Sequence, residues 1–160
     1  MKIQDTTLEN GLRVITCERP TNTTIGAVFV NDHESLEGQK KGVRHLLEHM
    51  IVLGGSKKQP DKASQIKSFR RLGAYQSATT YYEMMKYFVD SRNDNFLESL
   101  ELLLDAIANP VLSQKSCRDE RSVINEEMKG NIENTRELAF RGRIPLFLVR
   151  NIVLLLGYFC

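Results

Sequence analysis

Two histidines and a glutamate lie within the segment "RHLLEHM", residues 44–50, and are the side chains of this sequence best placed to bind a metal ion. If the segment is helical, His45 and His49 lie four residues apart on one face, where two imidazoles can bind the same ion. Glu48 is next to His49, in the position of a general base that takes a proton from water without being a ligand. The segment therefore predicts a hydrolytic metal site.

The order HxxEH is the mirror image of HExxH, the motif in which two histidines bind zinc beside a catalytic glutamate. The alternative is that these residues lie on the solvent-exposed face of an amphipathic helix and bind no metal. With average composition, the pattern arises by chance in roughly a few chains per thousand of this length. Two of the three histidines of the chain lie in it, which favours the metal site.

A catalytic zinc ion typically has three protein ligands and one open position, so a third ligand is required. The candidates lie in a long, charged stretch near the end of the chain: Cys117, Glu120, Glu126 and Glu127. Glu120 and Glu127 are seven residues apart and share a helix face, whereas Glu126 points about a quarter of a turn away. The spacing favours the shared face but does not select one residue.

The elements that precede and carry the motif follow from local patterns. The Asn-Gly pair at 10–11 predicts a hairpin of two short strands, and "TTIGAVFVND" predicts a buried strand. From Val43 to Leu53 apolar residues recur every three and four positions, which predicts a helix stopped by the glycines at 54–55.

The elements after the motif are a second helix, a pair of strands and two further helices. The second helix is predicted in "DKASQIKSFRRLG" and the pair of strands in "AYQSATTYYEMMKYFVDSR". The third helix is predicted in "NDNFLESLELLLDAIANP", where an asparagine or aspartate caps its start. The fourth helix is predicted in "LSQKSCRDERSVINEEMKGNIENTRELAF" and is expected to be interrupted by Gly130. The predicted order along the chain is therefore strands, two helices, a pair of strands and two more helices. This order indicates an α+β fold.

The composition suits one globular domain. The 160 residues include 22 basic and 20 acidic side chains without a basic tract, so we expect no nucleic-acid partner. Three widely spaced cysteines fit no disulfide framework. The first residues show neither a secretory signal nor a transit peptide, so we expect a cytoplasmic location, with a mitochondrial or related organelle matrix as the alternative.

Three segments resemble parts of the amino-terminal catalytic domain of the M16 metallopeptidases and follow one another in the same order as in that family. They are "HLLEHM", "GAYQSATTYYEMMKYFV" and "ERSVINEEM". That family includes insulin-degrading enzyme, pitrilysin and the mitochondrial processing peptidase. The resemblance covers roughly Thr6 to Gly130. It implies a single LuxS/MPP-like metallohydrolase domain, an antiparallel-rich sheet covered by helices.

The resemblance also implies the roles of the site residues. The family's third ligand corresponds to Glu127, so that His45, His49 and Glu127 would hold one Zn²⁺ per domain. Glu48 would activate water for hydrolysis of a peptide or protein substrate. Glu120 would correspond to the acidic residue that orients the site from behind the ligands.

The segment "AYQSATT" resembles the edge strand on which family members pair an extended substrate. Ser77, Ala78 and Thr80 are the residues we assign to that strand. Ala78 and Thr80 fit the family pattern, whereas Ser77 replaces the usual asparagine.

Two other functions are compatible with parts of the sequence. A LuxS-type S-ribosylhomocysteine lyase would use Cys117 as third ligand, but it needs another catalytic cysteine, and none lies between Gly54 and Ser116. A non-catalytic M16-like subunit is the other alternative. Such subunits have generally lost HxxEH, so its presence favours catalysis.

We expect a peptidase domain over residues 1–143 and an apolar tail over 144–160. The tail has seventeen residues including Arg150 and Asn151, fewer than the roughly 20 apolar residues that span a bilayer, so no membrane span is expected. It is unlike the family's continuation, and we expect the domain to be incomplete at its C-terminus. A second M16-like domain or subunit would then be required, and the isolated chain would bind zinc but hydrolyse peptides poorly.

Overall fold

The structure is a computed structural model, and it describes residues 2–31, 42–81, 84–133 and 153–157. Within these ranges the chain has the predicted α+β fold. The strands are β1 (Lys2–Thr7), β2 (Arg13–Glu18), β3 (Thr23–Asn31), β4 (Tyr75–Thr80), β5 (Met84–Arg92) and β6 (Val153–Gly157). The helices are α1 (Val43–Leu53), α2 (Lys62–Arg71), α3 (Phe96–Ala108) and α4 (Gln114–Glu133).

The described strands form one sheet in the order β1-β2-β6-β3-β5-β4. All neighbouring pairs are antiparallel except β2 and β6, so the sheet is rich in antiparallel pairing, as predicted. β4 is an edge strand that pairs with β5 on one side. It also packs against α1, the helix that carries the histidines.

The predicted hairpin between β1 and β2 is present. Gly11 adopts a φ of 83°, a left-handed conformation that glycine adopts without a steric penalty. The backbone N–H groups of Leu8 and Gly11 close the turn by donating to the carbonyls of Leu12 and Leu8, each at 2.9 Å.

The core lies between one face of β3 and β5 and the helices. Every second residue of β5 is buried, which is the period of a strand with one covered face. Tyr87, Val89 and Leu103 are almost completely buried in this core, and Ile51 anchors α1 to it. This packing fixes α1 against the sheet while its opposite side contacts α4.

Two local expectations were wrong. Asn95 occupies the cap position of α3, but its side chain donates to the carbonyl of Leu72 at 3.0 Å and makes no cap hydrogen bond. α4 runs through Gly130 to Glu133 without interruption. A single glycine costs a helix only about 1 kcal/mol relative to alanine, which does not by itself end it.

Part of the predicted apolar tail belongs to the sheet. Within residues 144–160 the structure describes β6, which lies between β2 and β3. Leu155 is the Cα partner of Ile15 in the parallel pair and of Ala27 in the antiparallel pair. No helix in the described ranges has the length and apolarity needed to cross a membrane.

Candidate metal centre

The two histidines of HxxEH lie side by side on α1 and face α4. The apolar residues of the other side of the helix hold it on the sheet, so its polar side is directed toward the neighbouring helix. The rings of His45 and His49 are 4.8 Å apart between centroids and nearly perpendicular. Their side chains are 29% and 12% exposed, so the pair lies at the boundary of solvent.

Glu127 of α4 extends its carboxylate between the two rings. Its Oε2 atom lies 3.5 Å from Nε2 of His45 and 3.5 Å from Nε2 of His49. One ligand atom from each of the three residues lies within 4.8 Å of the others. Three candidate ligand atoms therefore converge on one point, although Glu127 lies 78 positions after His49 in the sequence.

This donor set fits zinc. Two ligand atoms of a tetrahedral zinc site lie about 3.4 Å apart, because zinc–nitrogen and zinc–oxygen bonds are about 2.0–2.2 Å long. Both histidine–carboxylate distances match that separation, and all three candidate ligand atoms lie within 4.8 Å of one another. Two imidazoles and one carboxylate are also a combination found in catalytic zinc sites with an open position.

Glu120 supports the site from the buried side of His49. One of its carboxylate oxygens lies 3.1 Å from Nδ1 of His49, and the other accepts a hydrogen bond from Nζ of Lys62 at 2.8 Å. A carboxylate on Nδ1 fixes the orientation of a ligand imidazole and raises its basicity. Glu120 therefore lies behind His49 and not beside Glu127.

Glu120 is charged although its residue is only 3% exposed. Burial raises the pKa of this carboxyl, but the hydrogen bonds and charges of Lys62 and His49 outweigh burial and leave the pKa below its ordinary value. Lys62 is the first residue of α2, and Asp61 caps that helix. The Asp61 side chain accepts from the backbone N–H of Ser64 at 2.7 Å, which begins the helix at Lys62.

Glu48 lies on the side of α1 that faces β4. It is buried, and the hydroxyl of Thr80 donates a hydrogen bond to its Oε2 atom. Tyr87 is fully buried in the same region, and burial, with a contribution from the charge of Glu48, raises the pKa of its phenol above the usual range. The phenol stays neutral, and its hydroxyl contacts the sulfur of Met85 at 3.5 Å.

The three residues assigned to the substrate strand all lie on β4. Ser77 and Ala78 pair with Phe88 and Tyr87 of β5, which leaves the other edge of β4 open within the described part of the chain. Only Thr80, at the end of the strand, makes a side-chain hydrogen bond to a residue of the motif.

The remaining candidate ligands lie elsewhere. Glu126 is exposed and pairs with Lys129 at 2.7 Å. Cys117 lines a shallow cavity of about 480 Å³ together with Met50 and Leu112. Across the residues that the structure describes, the group able to hold a metal is His45, His49 and Glu127, without either of these two.

Two contacts of the site were not predicted from the sequence. Lys62 is 58 positions from Glu120, and Thr80 is 32 positions from Glu48. No local pattern identifies a lysine that pairs with a distant glutamate. Thr80 was predicted to lie on a strand, but its contact with Glu48 was not predicted.

The sequence matches the profile of the insulinase family, peptidase family M16, over residues 13–144. This chain belongs to that family. It is 30% identical over 136 residues to the beta subunit of the mitochondrial-processing peptidase of Caenorhabditis elegans, covering 84% of this chain and 29% of that protein. It is 31% identical over 123 residues to Protease 3 of Escherichia coli (strain K12), covering 76% of this chain and 13% of that protein.

The fold is also similar to a solved M16 structure. The match to the crystal structure of pitrilysin has a TM-score of 0.70 and 30% sequence identity, and it covers 79% of this chain and 14% of that chain. The chain thus spans less than a third of the length of these relatives. The M16 resemblance is confirmed, and at the level of the family it favours a protease-type hydrolase over a LuxS-type lyase.

Proposed function

We propose that this chain is the metal-binding domain of a zinc-dependent endopeptidase. The observation that carries the proposal is the convergence of His45, His49 and Glu127 on one point, with the buried carboxylate of Glu48 on the same helix as the two histidines. Membership of family M16 makes peptide-bond hydrolysis the reaction that this arrangement supports best.

A zinc ion held by these three ligands would polarise the scissile carbonyl and acidify a water molecule. In this proposal Glu48 accepts the proton of the attacking water and then delivers it to the nitrogen of the leaving amine, so that the carboxylate is regenerated. Glu120 keeps His49 oriented through Nδ1. An extended substrate adds as a further strand to the open edge of β4.

We further propose that a second M16-like domain or subunit completes the enzyme. The supporting observation is that the matched relatives are much longer than the region this chain covers. The candidate ligands are also partly open to solvent, with Glu127 45% exposed. A second domain that closed over them would exclude water and strengthen the electrostatic interactions of the site.

The test combines metal analysis with peptide hydrolysis, for the full 160-residue chain and its Glu48→Gln variant. We expect one zinc ion per chain in both proteins. Slow hydrolysis of short internally quenched peptides is expected at high enzyme concentration in the unmodified protein only, and a chelator should abolish it.

Loss of zinc from Glu48→Gln would contradict the role of Glu48 as a base that is not a ligand. Hydrolysis at the unmodified rate by this variant would contradict the mechanism. Stoichiometric zinc without any hydrolysis by the unmodified chain, even after long incubation, would favour the alternative of a non-catalytic M16-like subunit.

A further inference from the structure

We propose that Thr80 is the positioning residue for Glu48, so that the edge strand which receives the substrate also orients the catalytic base. This inference rests on the proposed function. It assigns to Thr80 a role different from that of a substrate contact, because its hydroxyl points to α1 and ends on Oε2 of Glu48.

The surroundings of Glu48 make this hydrogen bond important. Glu48 is 8% exposed, so little water is available to solvate its carboxylate. A buried carboxylate needs hydrogen-bond donors, and a donor held by the backbone also fixes the direction of the carboxylate plane. With Oε2 held by Thr80, the other oxygen has a defined orientation in which to receive a proton.

Thr80 is itself held firmly. Its backbone pairs with Met85 of β5, and threonine is restricted at χ1 because it branches at Cβ. The strand is tied to α1 a second time, since the Gln76 side chain donates to the carbonyl of Val52 at 3.1 Å. Two hydrogen bonds from β4 therefore add to the core packing that holds α1 against the strand, and one of them ends on the base.

The geometry also couples the base to the open edge of β4. A peptide that pairs with this edge extends the sheet and restricts the movement of the strand, Thr80 included. Through this hydrogen bond, the strand that a peptide would extend is also the strand that orients Glu48. Serine retains the hydroxyl that this requires, whereas valine has the shape of threonine without it.

The experiment compares Thr80→Val and Thr80→Ser in the zinc-loaded 160-residue chain labelled with ¹³C at the glutamate side-chain carboxyl carbons. The Glu48 signal is assigned by its absence from Glu48→Gln. We expect Thr80→Val to shift this signal and Thr80→Ser to restore most of its position. Thr79→Val makes the same chemical change at the neighbouring threonine, whose side chain projects from the opposite face, and should leave the signal in place.

Kinetics with short internally quenched peptides give the second readout. Thr80→Val should lower kcat about 10-fold to 100-fold at unchanged zinc content, with KM within twofold, and Thr80→Ser should recover most of kcat. If Thr80 had a purely structural role, Thr80→Val and Thr80→Ser would instead both have a lower melting temperature. Their kcat would then change only in proportion to the fraction of folded protein.

The inference is overturned if the Glu48 signal does not move in Thr80→Val, or if it moves equally in Thr79→Val. It is also overturned if Thr80→Val raises KM at constant kcat, which would indicate a substrate contact. If the unmodified chain hydrolyses no peptide, the proposed function fails, while the carboxyl signal still decides whether Thr80 orients Glu48.

Discussion

Nδ1 of His49 lies 3.1 Å from a carboxylate oxygen of Glu120, across the contact between α1 and α4. A neutral imidazole that donates from Nδ1 has its lone pair on Nε2, the atom that lies 3.5 Å from Glu127. One hydrogen bond thus determines which nitrogen of His49 is available to a metal. The helix that carries Glu127, the proposed third ligand, also carries Glu120, which contacts His49.

Replacement of Glu120 by glutamine tests this support. Glu120→Gln keeps the shape of the side chain but removes the charge that Nδ1 of His49 faces, so zinc affinity should fall about 10-fold to 100-fold. Competition with a zinc chelator measures the change. Asp119→Asn, a neutral substitution at the exposed neighbour, is the matched control and should leave the affinity unchanged. Equal affinity in Glu120→Gln and in the unmodified protein would show that His49 is oriented by other groups.

Replacement of Glu127 by glutamine tests the third ligand. A neutral amide oxygen is a much poorer zinc ligand than a carboxylate, so Glu127→Gln should lower zinc affinity by at least about 100-fold. Metal analysis after dialysis should find stoichiometric zinc in Glu126→Gln and Cys117→Ala, because neither residue is part of the cluster. Loss of zinc from Cys117→Ala alone would instead return the lyase interpretation to consideration.

Asp105 of α3 is expected to stabilise the loop that follows α1. Its carboxylate accepts from the hydroxyl of Ser56 at 2.6 Å, the backbone N–H of Lys58 at 2.8 Å and the amide of Asn109 at 3.0 Å. Asp105→Asn should lower the free energy of unfolding by about 1–3 kcal/mol at neutral pH. Asp94→Asn, at a side chain that is 83% exposed, should have little effect.

The pH dependence of this contribution follows from the pKa of Asp105. Burial raises the pKa, but the three hydrogen bonds outweigh it and lower the pKa below its ordinary value. The stabilisation is therefore fully present above the unfolded-state pKa of about 3.9 and is lost as the pH falls through the lower folded-state value. Denaturant titrations at pH 6 and at successively lower pH should measure the free energy of unfolding of both proteins. The difference in this free energy between Asp105→Asn and the unmodified protein should shrink as the pH falls. If the difference in the free energy of unfolding stayed constant with pH, the ionised Asp105 carboxylate would not be the source of the stabilisation.

Two fully buried glutamines form a matched pair for a stability test. The amide of Gln65 donates to the carbonyl of Ile51 and accepts from the N–H of Gly55, whereas neither amide atom of Gln59 has a hydrogen-bond partner among the described residues. Removing a satisfied buried amide leaves its partners unpaired, so Gln65→Met should cost about 1–3 kcal/mol. Gln59→Met removes an unsatisfied amide and should be neutral or stabilising by about 1 kcal/mol. Chemical denaturation of both variants measures the contrast, and equal losses would show that Gln59 is satisfied in solution.

The sequence determined the features that depend on neighbouring residues. The hairpin at Asn10 and Gly11 follows from the preference of glycine for positive φ, and α1 from a helical apolar period that ends at Gly54. The proximity of His45 and His49 follows from the geometry of one helix turn. None of these required knowledge of distant contacts.

The tertiary structure decided the features that depend on which elements pack together. The sequence alone left Glu120 and Glu127 equivalent on one face of α4, and the packing of α1 on α4 separated them into a residue behind His49 and a residue between the histidines. The contact of Thr80 with Glu48 likewise depends on where an edge strand meets a helix. Such contacts join residues 32 to 78 positions apart, and no periodicity of 2 or 3.6 residues encodes them, because burial and packing of whole elements set their positions.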